Sequence, residues 1–113
     1  MDTTELKQPV RQVIQLLVEQ RYSELESLTK GVRLGAKEIR QAITAYKGTL
    51  VMPPDDAYQL MNVVIIRNAE APKWSVVMPL WTREEGRSDL SVELALVKDT
   101  KGFGIELDDI HVL

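Results

Sequence analysis

Leu6, Val10, Val13, Ile14, Leu17 and Val18 recur at spacings of three and four, with Lys7, Arg11, Gln12, Gln15 and Glu19 between them. One apolar stripe at that period predicts an amphipathic helix. Pro9 lacks an amide hydrogen and fits only near a helix start, so regular helix is predicted from about Gln8. Ser23-Glu24-Leu25-Glu26 has the form of a capping box and predicts a second, short helix from Ser23. Tyr22, Leu25 and Leu28 supply its apolar side, and Gly31 ends it. A third helix is predicted from about Ala36 to Lys47, with Ile39, Ala42, Ile43 and Tyr46 inward and Gly48 as its stop.

The period then changes to two. Thr49-Leu50-Val51 predicts a short strand, stopped by Pro53-Pro54. Tyr58 to Arg67 is apolar on both parities and predicts a strand covered on both sides. Trp74 to Thr82 predicts another. In Asp89 to Lys98, Leu90, Val92, Leu94 and Leu96 alternate with Ser91 and Glu93. Phe103 to Val112 is the last strand, with Gly86 and Gly102 at the turns. The expectation is one α+β domain over residues 1–113, with helices at about 4–47 and strands at about 49–112. Three N-terminal helices should pack on a curved, mostly antiparallel sheet of four to five strands, the last two pairing as a hairpin around Lys101-Gly102.

Composition narrows the chemistry. The 113 residues include no Cys and one His, which excludes a disulfide scaffold, a thiolate metal site, a Cys nucleophile and a His-rich zinc site. With 44% apolar and 27% charged residues the chain reads as globular. The start Met1-Asp2-Thr3-Thr4-Glu5 lacks the basic and apolar character of a secretory signal, and no apolar run could span a bilayer. A cytoplasmic protein without membrane contact is expected. The net charge of −3 argues against nucleic acid as a partner. That charge is a sum of opposites. Residues 30–47 hold five basic side chains and one acid, whereas residues 84–113 hold eight acids and three bases. The basic face of the third helix, Arg33, Lys37, Arg40 and Lys47, reads as solvated, or as the complement of the acidic final strands of a second molecule.

The stretch from Trp74 to Ser91, with Leu80-Trp81-Thr82-Arg83-Glu84-Glu85-Gly86-Arg87-Ser88-Asp89-Leu90 at its centre, resembles a family of small bacterial proteins without an assigned function. The ending Asp108-Asp109-Ile110-His111-Val112-Leu113 resembles that family's close. At a coarser level, three helices followed by an antiparallel sheet resemble the nuclear-transport-factor-2-like (cystatin-like cone) architecture. That architecture hosts isomerases, dehydratases, adaptors, accessory domains and immunity proteins, so the resemblance implies a fold and no activity.

Asp109 and His111 form the first candidate site. On a regular strand they share a face, where a carboxylate could orient an imidazole base, while Glu106 and Asp108 point the other way. The parity of apolar residues disagrees: Phe103, Ile105 and Leu107 are odd, Ile110 and Val112 even. One extra residue near Asp108–Asp109 keeps all five inward and turns His111 outward. Two ligands do not make a zinc site, so neither a metal nor a cofactor is expected.

The hairpin residues Trp81, Glu84, Glu85, Arg87 and Asp89 are the candidate binding set. The hairpin reads as a solvated turn with Gly86 at positive φ, or, on a sharper reading, Arg87 pairs with Glu84, Glu85 or a carboxylate of the final strand. Trp74 and Trp81, seven apart, should face opposite ways, and Pro79 should mark an edge or bulge. No Gly-rich phosphate loop and no Gly-x-Ser-x-Gly elbow is present. Catalysis would need a cavity between helices and sheet, with Tyr22, Tyr46, Asn62, Asp109 or His111 at its polar end; Tyr46, Asp109 and His111 are the catalytic candidates. The expected function is therefore a non-enzymatic binding protein of immunity or accessory type, a homodimer contacting itself or another protein through Trp81 and Arg87. The alternative is a cone-type isomerase or dehydratase holding a small apolar ligand.

Overall fold

The computed structural model describes residues 4–112. The readings made on Met1–Thr3 and on Leu113 lie outside the described residues. Three helices, α1 (Thr4–Val18), α2 (Tyr22–Thr29) and α3 (Ala36–Ala45), precede five strands. These are β1 (Leu50–Val51), β2 (Asn62–Ile65), β3 (Lys73–Thr82), β4 (Gly86–Asp99) and β5 (Gly102–Val112). β4 lies between β3 and β5, and both β1 and β2 pair with the far edge of β3. Every pairing is antiparallel, and β4 and β5 are joined at Asp99 and Gly102 as the sequence predicts.

The helices cover one face of the sheet. Leu6, Val10, Val13, Ile14 and Leu17 of α1 and Ile39 and Ile43 of α3 are buried against Trp74, Val76, Met78 and Leu80 of β3 and Leu90, Val92, Leu94 and Leu96 of β4. Burying so many branched side chains, each contributing about 1.5–3 kcal/mol, is what holds helices to sheet. Trp74 lies in this core, its ring edge-to-face with Phe103 at 6.0 Å.

Several local readings are corrected. α1 already includes Thr4, and Pro9 lies inside it with its ring buried. A proline this early in the helix loses one amide bond while its ring joins the core. The capping box of α2 does not form: Arg21 precedes the helix, and no side chain caps it. Glu26 instead accepts the Ala36 amide at 2.7 Å, so α2 caps the start of α3. α3 ends at Ala45, before the left-handed Lys47 at φ 39°.

The largest departure is at 58–67. A 3-10 helix, Asp55–Leu60, folds Ala57 and Tyr58 into the core, and only Asn62–Ile65 pairs as a strand. The expected two-sided cover is absent: Val64 is 56% and Ile65 64% exposed. Apolar residues on both parities arise here because Tyr58 and Val63 reach the core from two different elements.

Candidate functional site

The β3–β4 turn carries the proposed signature, and its acids are used to fasten it. The Arg83 amide donates to the Thr49 carbonyl at 2.9 Å, aligning the turn beside β1. Glu84 then accepts from the Thr49 amide at 2.9 Å and the Thr49 hydroxyl at 3.0 Å. These donors stabilise its charged form and hold its pKa below the ordinary glutamate value. Glu85 accepts the Tyr46 hydroxyl at 2.8 Å, and that hydroxyl accepts the Asp89 amide at 3.1 Å. Donation to a carboxylate raises the Tyr46 pKa, with burial adding to it. Gly86, at φ 73°, closes the turn in the left-handed region.

Arg87 pairs with neither Glu84 nor Glu85. It is exposed and joins none of the ion pairs among the described residues, because Glu84 and Glu85 turn toward Thr49 and Tyr46. Asp89 is exposed too and contributes its backbone amide rather than its carboxylate. Between them, the buried Ser88 hydroxyl donates to the Leu80 carbonyl at 2.8 Å and accepts the Leu90 amide at 3.1 Å. It fills a register shift between Pro79 and Trp81.

A second bulge lies in β5. Glu93 pairs with Asp109 and Leu94 with Leu107, which leaves Asp108 unpaired. Ile105, Leu107 and Ile110 are thereby buried, and His111 turns to the face without helices, as the parity predicts. Two details differ. Val112 is 59% exposed, since it lies at the open end of the edge strand. Glu106, opposite Ala95, shares the outer face with Asp109 and His111, because the bulge reverses parity between them. Its carboxylate lies 3.6 Å from Lys73 Nζ. Asp108 lies 3.6 Å from Arg33 Nε, so part of the basic third-helix region meets the acidic final strand within one chain. Burial pushes the Asp108 pKa up, opposed by Arg33 and supported by Glu106 and Glu93.

His111 Nδ1 lies 3.2 Å from Asp109 Oδ2, and Asp109 Oδ1 accepts the Ile110 amide at 2.9 Å. The ligating atoms of Glu93, Asp109 and His111 all lie within 4.8 Å of one another. Sequence reasoning missed Glu93, because its nearness to Asp109 is a cross-strand relation sixteen positions apart in the chain.

Trp81 faces opposite to Trp74, as its spacing predicts. It is half-buried beside Val51 and Arg87. Pro79, opposite Ser91 of β4, sits where the other edge of β3 has no neighbour, between the stretch paired with β2 and that paired with β1. Val64, opposite Ser75, and Asn62, opposite Val77, place β2 side chains on the same uncovered face.

A cleft of 290 Å³ opens along Arg87, Ser88, Asp89 and Ser91, and two larger ones lie elsewhere. One of 520 Å³ opens between Tyr22, Arg40, Ile43 and Lys47, with the Arg40 guanidinium 5.6 Å from the Tyr22 ring centroid. Another of 560 Å³ lies between α1 and α2, along Gln12, Leu16, Ser23 and Leu28. A smaller one of 250 Å³ borders Tyr58, whose buried hydroxyl has no partner among the described residues. None of these is lined by Tyr46, Asn62, Asp109 or His111. The convergence with Tyr22 on one cavity that catalysis would need does not occur, since those groups lie on the turn, the β2 edge and the outer face of β5. No helix among the described residues is long and apolar enough to cross a membrane.

Compared with known proteins, the model of a family described as Domain of unknown function (DUF7668) matches residues 14–113. No curated protein and no solved structure matches the chain.

Proposed function

The chain belongs to that family of unknown function, and we propose that it is a non-enzymatic binding module that acts as a homodimer joined along β2. One observation carries this reading: Val64 and Ile65 are 56% and 64% exposed on a strand whose outer edge is unpaired among the described residues. Edge strands template pairing with another chain unless they are blunted. The opposite edge, β5, is blunted by its bulge and by Glu106, Asp108 and Asp109. β2 has no such protection: Asn62-Val63-Val64-Ile65-Ile66 holds no charge and no proline.

A second copy is the fitting occupant. Antiparallel self-pairing about Val64 sets Val63 against Ile65 and Asn62 against Ile66, with no like charges opposed. Trp81 and the unpaired Arg87 lie further along the same sheet and extend the surface toward β1. The element order of helices then sheet supports the nuclear-transport-factor-2-like reading. Sedimentation equilibrium tests the proposal. The wild type should be a dimer and Val64→Lys a monomer with an unchanged far-UV spectrum. A wild type that sediments at 12.8 kDa across micromolar concentrations overturns it.

A further inference from the structure

The outer face of the β4–β5 ladder brings two carboxylates and an imidazole together. Glu93 and Asp109 are directly opposed across the strands. Like charges in that relation destabilise a sheet. Two cations near this face are engaged elsewhere, Lys73 with Glu106 and Arg33 with Asp108, each at 3.6 Å. Glu93 makes no hydrogen bond or ion pair among the described residues. Beside the pair lies the His111 imidazole, whose Nδ1 is closed off from solvent and makes no hydrogen bond among the described residues. Nδ1 stands 3.2 Å from Asp109 Oδ2.

We propose that Glu93, Asp109 and His111 form a binding site for a divalent transition-metal cation of the zinc type. The donor set of one imidazole and two carboxylates suits such an ion better than magnesium or calcium, which take oxygen alone. Zinc-bound nitrogen and oxygen at about 2.0–2.1 Å in a tetrahedron stand roughly 3.3 Å apart, close to the separation of Nδ1 and Oδ2. The remaining ligand atoms, within 4.8 Å of one another, close to that distance by side-chain rotation. The bulge at Asp108 builds the site by bringing Asp109 opposite Glu93 and turning His111 to the same face. Asp109 Oδ1 is held by the Ile110 amide, which orients Oδ2 toward the imidazole. The small, buried Ser91 opposite His111 leaves room for the ring to lie across β4. Three protein ligands leave a coordination position open to solvent or to a donor from a partner.

The experiment is a titration of tag-free protein with Zn²⁺ by calorimetry, followed in parallel by the ring proton resonances of the imidazole. The chain has one His, so those signals need no assignment. One Zn²⁺ per chain should bind and shift the His111 ring signals. Glu93→Gln and His111→Ala should each weaken binding at least tenfold. Both residues lie outside the packed core, and circular dichroism checks that the variants stay folded. Absence of Zn²⁺ binding, binding unaffected by both substitutions, or binding that leaves the ring signals unmoved each overturns the proposal. Val64→Lys should bind Zn²⁺ as the wild type does, which separates this site from dimerisation.

Discussion

The Tyr46 hydroxyl donates to Glu85 at 2.8 Å, which joins the end of α3 to the β3–β4 turn thirty-nine residues away. The same oxygen accepts the Asp89 amide at 3.1 Å, so one phenol bridges the turn and the start of β4. Tyr46→Phe removes both bonds and keeps the ring. It should lower the urea midpoint without changing the slope, and the amide of Asp89 should exchange faster. An unchanged midpoint and unchanged exchange would refute the role of this bridge.

Glu84 makes stability depend on acid. Its folded pKa is held below the unfolded value by the Thr49 amide, so it contributes stability above the ordinary glutamate range. That contribution is lost as pH falls through the folded value. Glu84→Gln should therefore be less stable than wild type at neutral pH, and the two should converge below the glutamate range. Melting temperatures across pH 2–7 check this; curves that stay parallel would contradict it.

Glu26 and Gly35 form a coupled pair. A Cβ added at Gly35 would stand 2.7 Å from Glu26 Oε1, the atom that caps α3. Losing a capping acceptor costs about 0.5–2 kcal/mol. Glu26→Ala and Gly35→Ala should each destabilise within that range, and the double variant should fall well short of their sum. Chemical denaturation of the four proteins completes the cycle, and full additivity would show that the two residues do not share one contact.

Ser88 supports the β4 irregularity from inside. Ser88→Ala leaves the Leu90 amide without its side-chain acceptor in a buried place. A buried unsatisfied donor costs about 1–3 kcal/mol. Denaturation should show a loss of that size, and Ser88→Cys, with a weaker acceptor, should recover only part of it. A loss below a few tenths of a kcal/mol would mean that water replaces the hydroxyl.

Periodicity placed most of the elements because it reports which face is wetted. The α1 stripe, the alternation through Leu90–Leu96 and the parity break near Asp108 each lead to the observed arrangement. Periodicity failed at Tyr58–Ile65, where core contacts from a 3-10 helix and from an edge strand run together in the chain. It failed also at Ser23–Glu26. The box pattern was present, yet the loop before α3 brought a better donor within 2.7 Å of Glu26.

The candidate site divides in the same way. That His111 leaves the core was determined by the sequence alone, because burying both Leu107 and Ile110 forces one extra residue between them. The sequence by itself also determined the class of fold and the separation of basic helix from acidic strands. Only tertiary structure decided what those groups meet. Glu93 finds Asp109, Arg33 finds Asp108 and Tyr46 finds Glu85 through strand register and helix docking. Register depends on the summed packing of the whole core. Local spacing reports the face a residue takes, not the neighbour it acquires there.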